Sequence, residues 1–287
     1  MRGFVVEMNP DRGVTLEAVL FDPPLASEQP SCLEHPRPLI ILCPGGGYQF
    51  CSQREADPIA VGFLRHGFNA LILRYSLREH SAYPHPLIDA SRAVRWARVH
   101  AGELGIDARR IALCGFSAGG HVAALLGTQW NDPDLPSAEQ AEYEALAARG
   151  YPANAGLMAA QNRPDALVLS YAALRLDWDP GDTPIQAEAA IRRQRHPARD
   201  TLARVGPHTP PSFLWTTGQD ATVPPGDSLA FAAALAEHGV GFELHHFGYG
   251  GHGLGTGERL SNQDKGQLPV NVDGWLGLAA DWLRATL

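Results

Sequence analysis

No apolar run in this chain of 287 residues approaches the length needed to cross a bilayer as a helix. The opening stretch, Met1-Arg-Gly-Phe-Val-Val-Glu7, also lacks the apolar centre of a secretory signal. Basic residues are in deficit: 23 Lys and Arg stand against 31 Asp and Glu, a net charge of -8. That balance argues against nucleic acid as a partner, because phosphate binding needs a basic surface. The acidic residues are scattered and form no tail. Cysteine is scarce. Cys32, Cys43, Cys51 and Cys114 show no metal-ligand spacing, and free, mostly buried thiols are expected in preference to disulfides. No repeat or biased tract interrupts the chain. With Met1 as the native start, these absences point to a cytoplasmic protein with no metal site and no membrane contact.

What is present is the composition of an ordinary globular protein, 45% apolar and 19% charged. Apolar strand-like runs alternate with helical patterns. Phe4-Val5-Val6 and Val14–Leu20 predict two antiparallel strands, followed by a Pro-rich loop through Pro38. Further strands are expected at Leu39–Cys43, Phe68–Leu73, Arg110–Cys114, Ala166–Ser170, Ser212–Thr217 and Gly241–Phe247. Helical spacing marks Glu55–His66, Leu87–Gly102, the segment after Ser117, Gly226–His238 and Asn271–Thr286. This alternation predicts an α/β fold with a mostly parallel sheet covered on both faces. Two segments, at about 129–164 and 172–211, are longer than ordinary connections and read as cap-like insertions. Within the first, Glu139–Arg149 favours helix. No linker divides the chain, so residues 1–287 are expected to form a single domain.

The most informative segment is Gly115-Phe-Ser-Ala-Gly-Gly-His121, a G-x-S-x-G element between a short apolar run and an Ala/Leu-rich one. A strand, a sharp turn and a helix in that order constitute a nucleophile elbow. The turn lifts the Ser117 hydroxyl clear of the sheet and leaves the Ala118 amide at a helix N-terminus, aimed where an oxyanion would form. Serine needs a base, and the base needs a partner to hold its tautomer. Among twelve histidines, His252 lies in a glycine-rich loop just after the last expected strand, whereas His245 and His246 fall within it. His100 and His238 sit near helix ends, and His121 is expected to pack or hydrogen-bond behind the elbow. Asp220 directly follows the apolar strand Ser212–Thr217. Asp227 competes for the same role, but its place before a helical run suits an N-cap. Pro44-Gly-Gly-Gly-Tyr48 follows the strand Leu39–Cys43 and can aim two amides at one point. A nucleotide loop is the rival reading of those glycines. The segment lacks the Lys-Ser/Thr of a phosphate loop and the spacing of a dinucleotide fingerprint.

These motifs, with Ser52-Gln-Arg-Glu55, Leu73-Arg-Tyr-Ser76, Pro86-Leu-Ile-Asp89, Ala93-Val-Arg-Trp96 and Gly251-His-Gly-Leu254, resemble the α/β-hydrolase superfamily. Within it the chain is similar to the bacterial esterase/lipase group that includes acetyl esterases and acetyl xylan esterase-like enzymes. The likeness runs from about Leu39 to the C-terminus. It implies Ser117, Asp220 and His252 as the triad, Gly46, Gly47 and Ala118 as oxyanion donors, and no cofactor. Pro44 replaces the His of the hormone-sensitive-lipase branch, so the bracing of that loop does not carry over. The resemblance implies a carboxylesterase removing short acyl groups, acetyl first among them, from a carbohydrate or another small alcohol. A serine peptidase of the prolyl-oligopeptidase type is the alternative. Such enzymes carry a large N-terminal propeller, whereas fewer than fifty residues precede the first core strand here. A silent binding protein on the same scaffold is a third reading. Tyr48, beside the oxyanion glycines, is expected to contact substrate. Trp130, Tyr171 and Trp178 are the other rings that could close the acyl side.

Overall fold

Leu39-Ile-Ile-Leu-Cys43 is apolar at every position, which suits a strand whose sheet is covered on both faces. The computed structural model, which describes residues 1–23, 35–151, 156–175, 200–266, 268 and 271–287, has that arrangement. In chain order the elements are β1 (Arg2–Asn9), β2 (Val14–Leu20), β3 (Arg37–Cys43), α1 (Asp57–Arg65), β4 (Asn69–Arg74), α2 (His85–Val99), α3 (Ala101–Leu104) and β5 (Ile106–Phe116). They continue with α4 (Ala118–Gln129), α5 (Leu135–Ala147), β6 (Ala166–Ser170), β7 (Ser212–Thr217), α6 (Pro225–Glu237), β8 (Phe242–Phe247) and α7 (Trp275–Thr286). The described strands form one eight-stranded sheet in the order β1-β2-β4-β3-β5-β6-β7-β8. β1 and β2 pair antiparallel, as do β2 and β4. All pairs from β4 through β8 are parallel.

Successive side chains on a strand face opposite sides of its sheet. Ile40, Leu42, Ile72, Cys114 and Phe213 accordingly pack with the apolar faces of α1 and α7. Leu39, Ile41, Leu71, Leu113 and Leu167 pack with α2, α4 and α6 on the other side. The parallel strands end at one edge, so the loops after β3, β5, β7 and β8 converge there. No helix among the described residues is long and apolar enough to cross a membrane.

Boundaries depart from expectation where backbone geometry intervenes. The last helix begins at Trp275 and not at Asn271, because Asn271 adopts a left-handed φ of 70° and a tight turn, Val272–Gly274, follows. β5 starts at Ile106, four residues before the expected Arg110, because a register shift lets Arg37 pair with Ile106. α2 stops at Val99, and His100 separates it from the single turn of α3. In the first insertion, the helix expected over Glu139–Arg149 is α5. Residues 176–199 of the second insertion, including Trp178, lie outside the described residues, as does Cys32.

Ion pairs fasten α5 to the rest of the molecule. The Arg12 guanidinium, on the turn between β1 and β2, bonds Asp89 of α2 and Glu142 of α5, each at 2.8 Å. Arg92 of α2, fully buried, lies 3.0 Å from Glu142, and Arg95 donates to Glu139 at 3.1 Å. Burial pushes the Glu142 carboxyl up, but Arg12 and Arg92 outweigh it and hold the group below its usual range. A depressed carboxyl contributes stability above its unfolded pKa, and that stability is lost as pH falls through the folded value. Glu142→Ala should therefore cost on the order of 3–5 kcal/mol at neutral pH, since it strands the buried Arg92 charge. The loss should shrink in acid, and urea midpoints of both proteins at neutral and acidic pH measure it.

Candidate active site

β5 delivers the chain to Ser117, whose backbone holds φ 51° and ψ -118°. That conformation is costly for a residue with a side chain and persists only when neighbours over-determine it. Here they do. The Ser117 amide donates to the Ser170 carbonyl at 3.1 Å, and the Ser117 carbonyl accepts from His121 and Ala173 at 3.1 and 3.0 Å. The glycines are required by close approach. A Cβ on Gly115 would meet the Gly119 carbonyl oxygen at 2.3 Å, and one on Gly119 would meet the Cys43 carbonyl oxygen at 2.0 Å. The elbow is thus pressed against the end of β3, which brings the Pro44–Tyr48 loop beside Ser117.

The loops after β7 and β8 bring two more of the expected residues to this point. His252 Nε2 lies 2.8 Å from Ser117 Oγ, and His252 Nδ1 lies 2.7 Å from Asp220 Oδ2. The carboxylate accepts only, so Nδ1 carries the proton and Nε2 is free to accept one from the serine. Asp220 Oδ1 is held by the amides of Thr222 and Val223, both at 2.9 Å, and its side chain is fully buried. The Gln219 amide donates to the Gly250 carbonyl and the Gly250 amide donates to Gln219 Oε1, both at 3.1 Å, which keeps the two loops in register. Lys265 donates to the His252 carbonyl at 3.0 Å and Arg54 to the Gly253 carbonyl at 3.2 Å. Asp227 stands apart, in the first turn of α6. Pro224 holds the N-cap position, so the expected capping role is corrected; the Asp227 carboxylate accepts the Arg175 amide at 3.3 Å.

Gly46 and Gly47 adopt positive φ values of 131° and 60°, and Ala118 is the first residue of α4, where amides have no intrahelical acceptor. Three contacts brace this loop without the histidine of the lipase branch. Tyr75 Oη donates to the Pro44 carbonyl at 2.7 Å, the Gly45 amide donates to Glu55 Oε2 at 2.8 Å, and Tyr48 Oη meets His121 Nδ1 at 2.6 Å. The structure therefore puts Tyr48 in the core. Its ring is fully buried and set edge-on to Tyr75 and His121, whereas a substrate contact was expected of it. Tyr171 is equally buried, with its ring 5.0 Å from the His252 imidazole. Trp130 is half-buried and anchored by its indole N–H on the His208 carbonyl at 3.0 Å. Among the described residues no group of three His, Cys, Asp or Glu side chains is arranged to hold a metal ion. Burial pushes the Cys51 thiol up to about 11, so it stays protonated near neutrality and is a poor nucleophile.

The motifs Ser52-Gln-Arg-Glu55 and Leu73-Arg-Tyr-Ser76 stand out in the sequence, but neither points to the bracing roles of Glu55 and Tyr75. Nothing in local spacing says that a glutamate ten residues past Gly45 turns inward.

Sheet order, elbow and convergent loops define an α/β hydrolase. Residues 28–235 match the BD-FAE family model, and the chain belongs to that family. It is 31% identical over 223 residues to endo-1,4-beta-xylanase B of Butyrivibrio fibrisolvens, an alignment covering 76% of this chain and 32% of that protein. It is 28% identical to esterase LipC of Mycobacterium tuberculosis over 75% of this chain and 53% of the relative. The chain thus spans between a third and about half of the length of these curated relatives. Among solved structures, the acetyl ester-xyloside bifunctional hydrolase of Caldicellulosiruptor lactoaceticus superposes with a TM-score of 0.72 at 31% identity, covering 96% of this chain and 89% of that one. The carboxylesterase Cest-2923 of Lactobacillus plantarum WCFS1 gives 0.82 at 28% identity, with 99% and 98% covered.

Because Gly119 leaves no room for a Cβ against the Cys43 carbonyl, Gly119→Ala must separate the elbow from β3. We expect a destabilisation above about 4 kcal/mol, outside the usual range for one substitution. A thermal midpoint within a few degrees of wild type would contradict this packing.

Proposed function

We propose that the chain is a serine carboxylesterase acting on short-chain acyl esters of small molecules through Ser117, His252 and Asp220. The observation that carries this reading is the continuous hydrogen-bonded line from Ser117 Oγ through the imidazole to the buried Asp220 carboxylate. His252 Nε2 takes the serine proton as Oγ attacks the ester carbonyl carbon. The carbonyl oxygen becomes an oxyanion and rests on the amides of Gly46, Gly47 and Ala118. Collapse breaks the bond to the alcohol, which leaves with the proton from His252. Water, deprotonated by the same imidazole, then attacks the acyl-enzyme and frees the acid. Asp220 orients the imidazole and offsets its charge when protonated. The chemistry needs no cofactor, and the chain is proposed to act as a single domain.

The acetyl preference, with a sugar as the alcohol, draws support from the solved relative described as an acetyl ester-xyloside bifunctional hydrolase. The names of LipC and Cest-2923 support ester hydrolysis in general.

Ser117→Ala should reduce kcat on p-nitrophenyl acetate by on the order of 10⁶ while the fold survives. Asp220→Asn should lower kcat by about 10³–10⁴ through loss of the correct tautomer. Asp227→Asn should affect stability and leave turnover nearly intact. Turnover above about a tenth of wild type in Ser117→Ala would remove this serine as nucleophile.

Acyl length provides a second check. In an open apolar cleft each methylene contributes up to about 0.8 kcal/mol, and kcat/KM climbs with chain length. We expect the reverse, with kcat/KM falling by butyryl or hexanoyl. With Tyr48 and Tyr171 in the core, the restriction must come from other side chains. A maximum at octanoyl or beyond would eliminate the acetyl-esterase reading.

A further inference from the structure

The mechanism above leaves a second buried carboxylate unused. Glu55 is 3% exposed and ends the tight turn Gln53–Glu55 that follows the oxyanion loop. Its two oxygens are engaged by opposite halves of the site. Oε2 accepts the Gly45 amide at 2.8 Å, and Oε1 accepts the Tyr171 hydroxyl at 2.7 Å. Tyr171 Oη in turn accepts the amide of Gly255, three residues past His252, at 3.0 Å. The Tyr171 ring lies edge-on to the imidazole, with centroids 5.0 Å apart. Every donor in this line points toward Glu55, an arrangement that requires an acceptor at both oxygens, as an ionised carboxylate provides.

Packing alone gives no reason for an acid here. Burial pushes the Glu55 carboxyl above its usual range, and the Tyr171 hydroxyl, the Gly45 amide and the charges of His252 and Arg54 only partly offset this. Cys114 and Tyr75 also face the group, and both are kept neutral by burial. A carboxyl raised in this way stabilises the fold only when protonated. Its contribution is complete below the unfolded pKa and is lost as pH rises through the folded one. When ionised, the group therefore works against folding.

Resting on the serine-esterase reading, we propose that Glu55 is a positioning residue. One carboxylate sets the spacing between the oxyanion loop and the histidine loop, and keeps a negative charge near His252. The two loops come from β3 and β8, far apart in the sheet, and must agree to a fraction of an ångström. A displacement of about 1 Å in such a site can cost 10²-fold in rate. Substrate does not touch Glu55, so its influence falls on the transition state and spares binding.

The test is Glu55→Gln, which keeps the shape and removes the charge. With an acetyl ester, kcat should fall about 10- to 100-fold with KM within about threefold. The thermal midpoint should stay level or rise. The acidic limb of kcat/KM should move to lower pH, because a nearby negative charge favours the imidazolium and its loss does the opposite. Asp220, on the other ring nitrogen, and Lys265 and Arg54, on the loop carbonyls, are unchanged in this variant. A kcat within twofold of wild type with an unmoved acidic limb would overturn the proposal, as would a raised KM at unchanged kcat. Should Glu55→Gln fail to fold, Tyr171→Phe keeps the Gly45 bond and cuts the histidine side. For that variant a kcat loss of at least about fivefold supports the proposal, and a value within twofold of wild type overturns it. Wild-type turnover, abolished in Ser117→Ala, establishes the esterase reading independently. If wild type shows no turnover, that reading fails, and the coupling is read from the downfield NMR signal of the His252 Nδ1 proton. A shift of that signal in Glu55→Gln supports the link, and an unchanged signal overturns it.

Discussion

Two backbone segments meet at van der Waals limits where Gly119 of α4 faces the Cys43 carbonyl at the end of β3. The geometry of the candidate site depends on that approach. The strand–turn–helix of the elbow sets the height of Ser117 above the sheet. The contact with β3 sets how near the Gly46 and Gly47 amides come to it. A side chain at the contact would part the two by more than the length of a hydrogen bond allows. The energy for so tight a meeting comes from the sheet below, where the parallel core strands are buried on both faces.

The site has a division of labour that follows from this frame. The elbow is held rigid by its own hydrogen bonds to β6 and by glycine packing. The histidine loop is long and glycine-rich, and it is positioned from outside, by Gln219, Asn262, Lys265, Arg54 and Trp275. Polar side chains here take the place that tight backbone packing takes at the elbow. Polar ties fix direction better than apolar packing does, and an imidazole that must face two partners at once needs direction.

The fold and the three central side chains were legible in the sequence because their signals are local. An apolar run followed by Gly-x-Ser-x-Gly constrains only its own backbone, and strand-terminal loops place Asp220 and His252 by topology. Tyr48 was misjudged for the complementary reason. Adjacency to Gly47 says nothing about which way a ring turns at φ 61°, and the space behind the loop, beside Tyr75 and His121, is set by residues distant in the chain. Asp227 was misread by three positions, because Pro224 takes the N-cap and Pro225 starts α6 ahead of the acid. Glu55 and the Arg12–Glu142 network share this feature. Their partners lie 116 and 130 residues away, beyond any periodicity or motif.

The unequal exposure of the imidazole and its carboxylate has a chemical consequence. The His252 side chain is 20% exposed, while that of Asp220 is wholly enclosed. An electrophile entering from solvent therefore meets one ring nitrogen only. Nδ1 is spent on a sealed acceptor, whereas Nε2 lies beside Ser117 Oγ. Small alkylating reagents would be steered to Nε2, one ring atom out of two, by the fold alone.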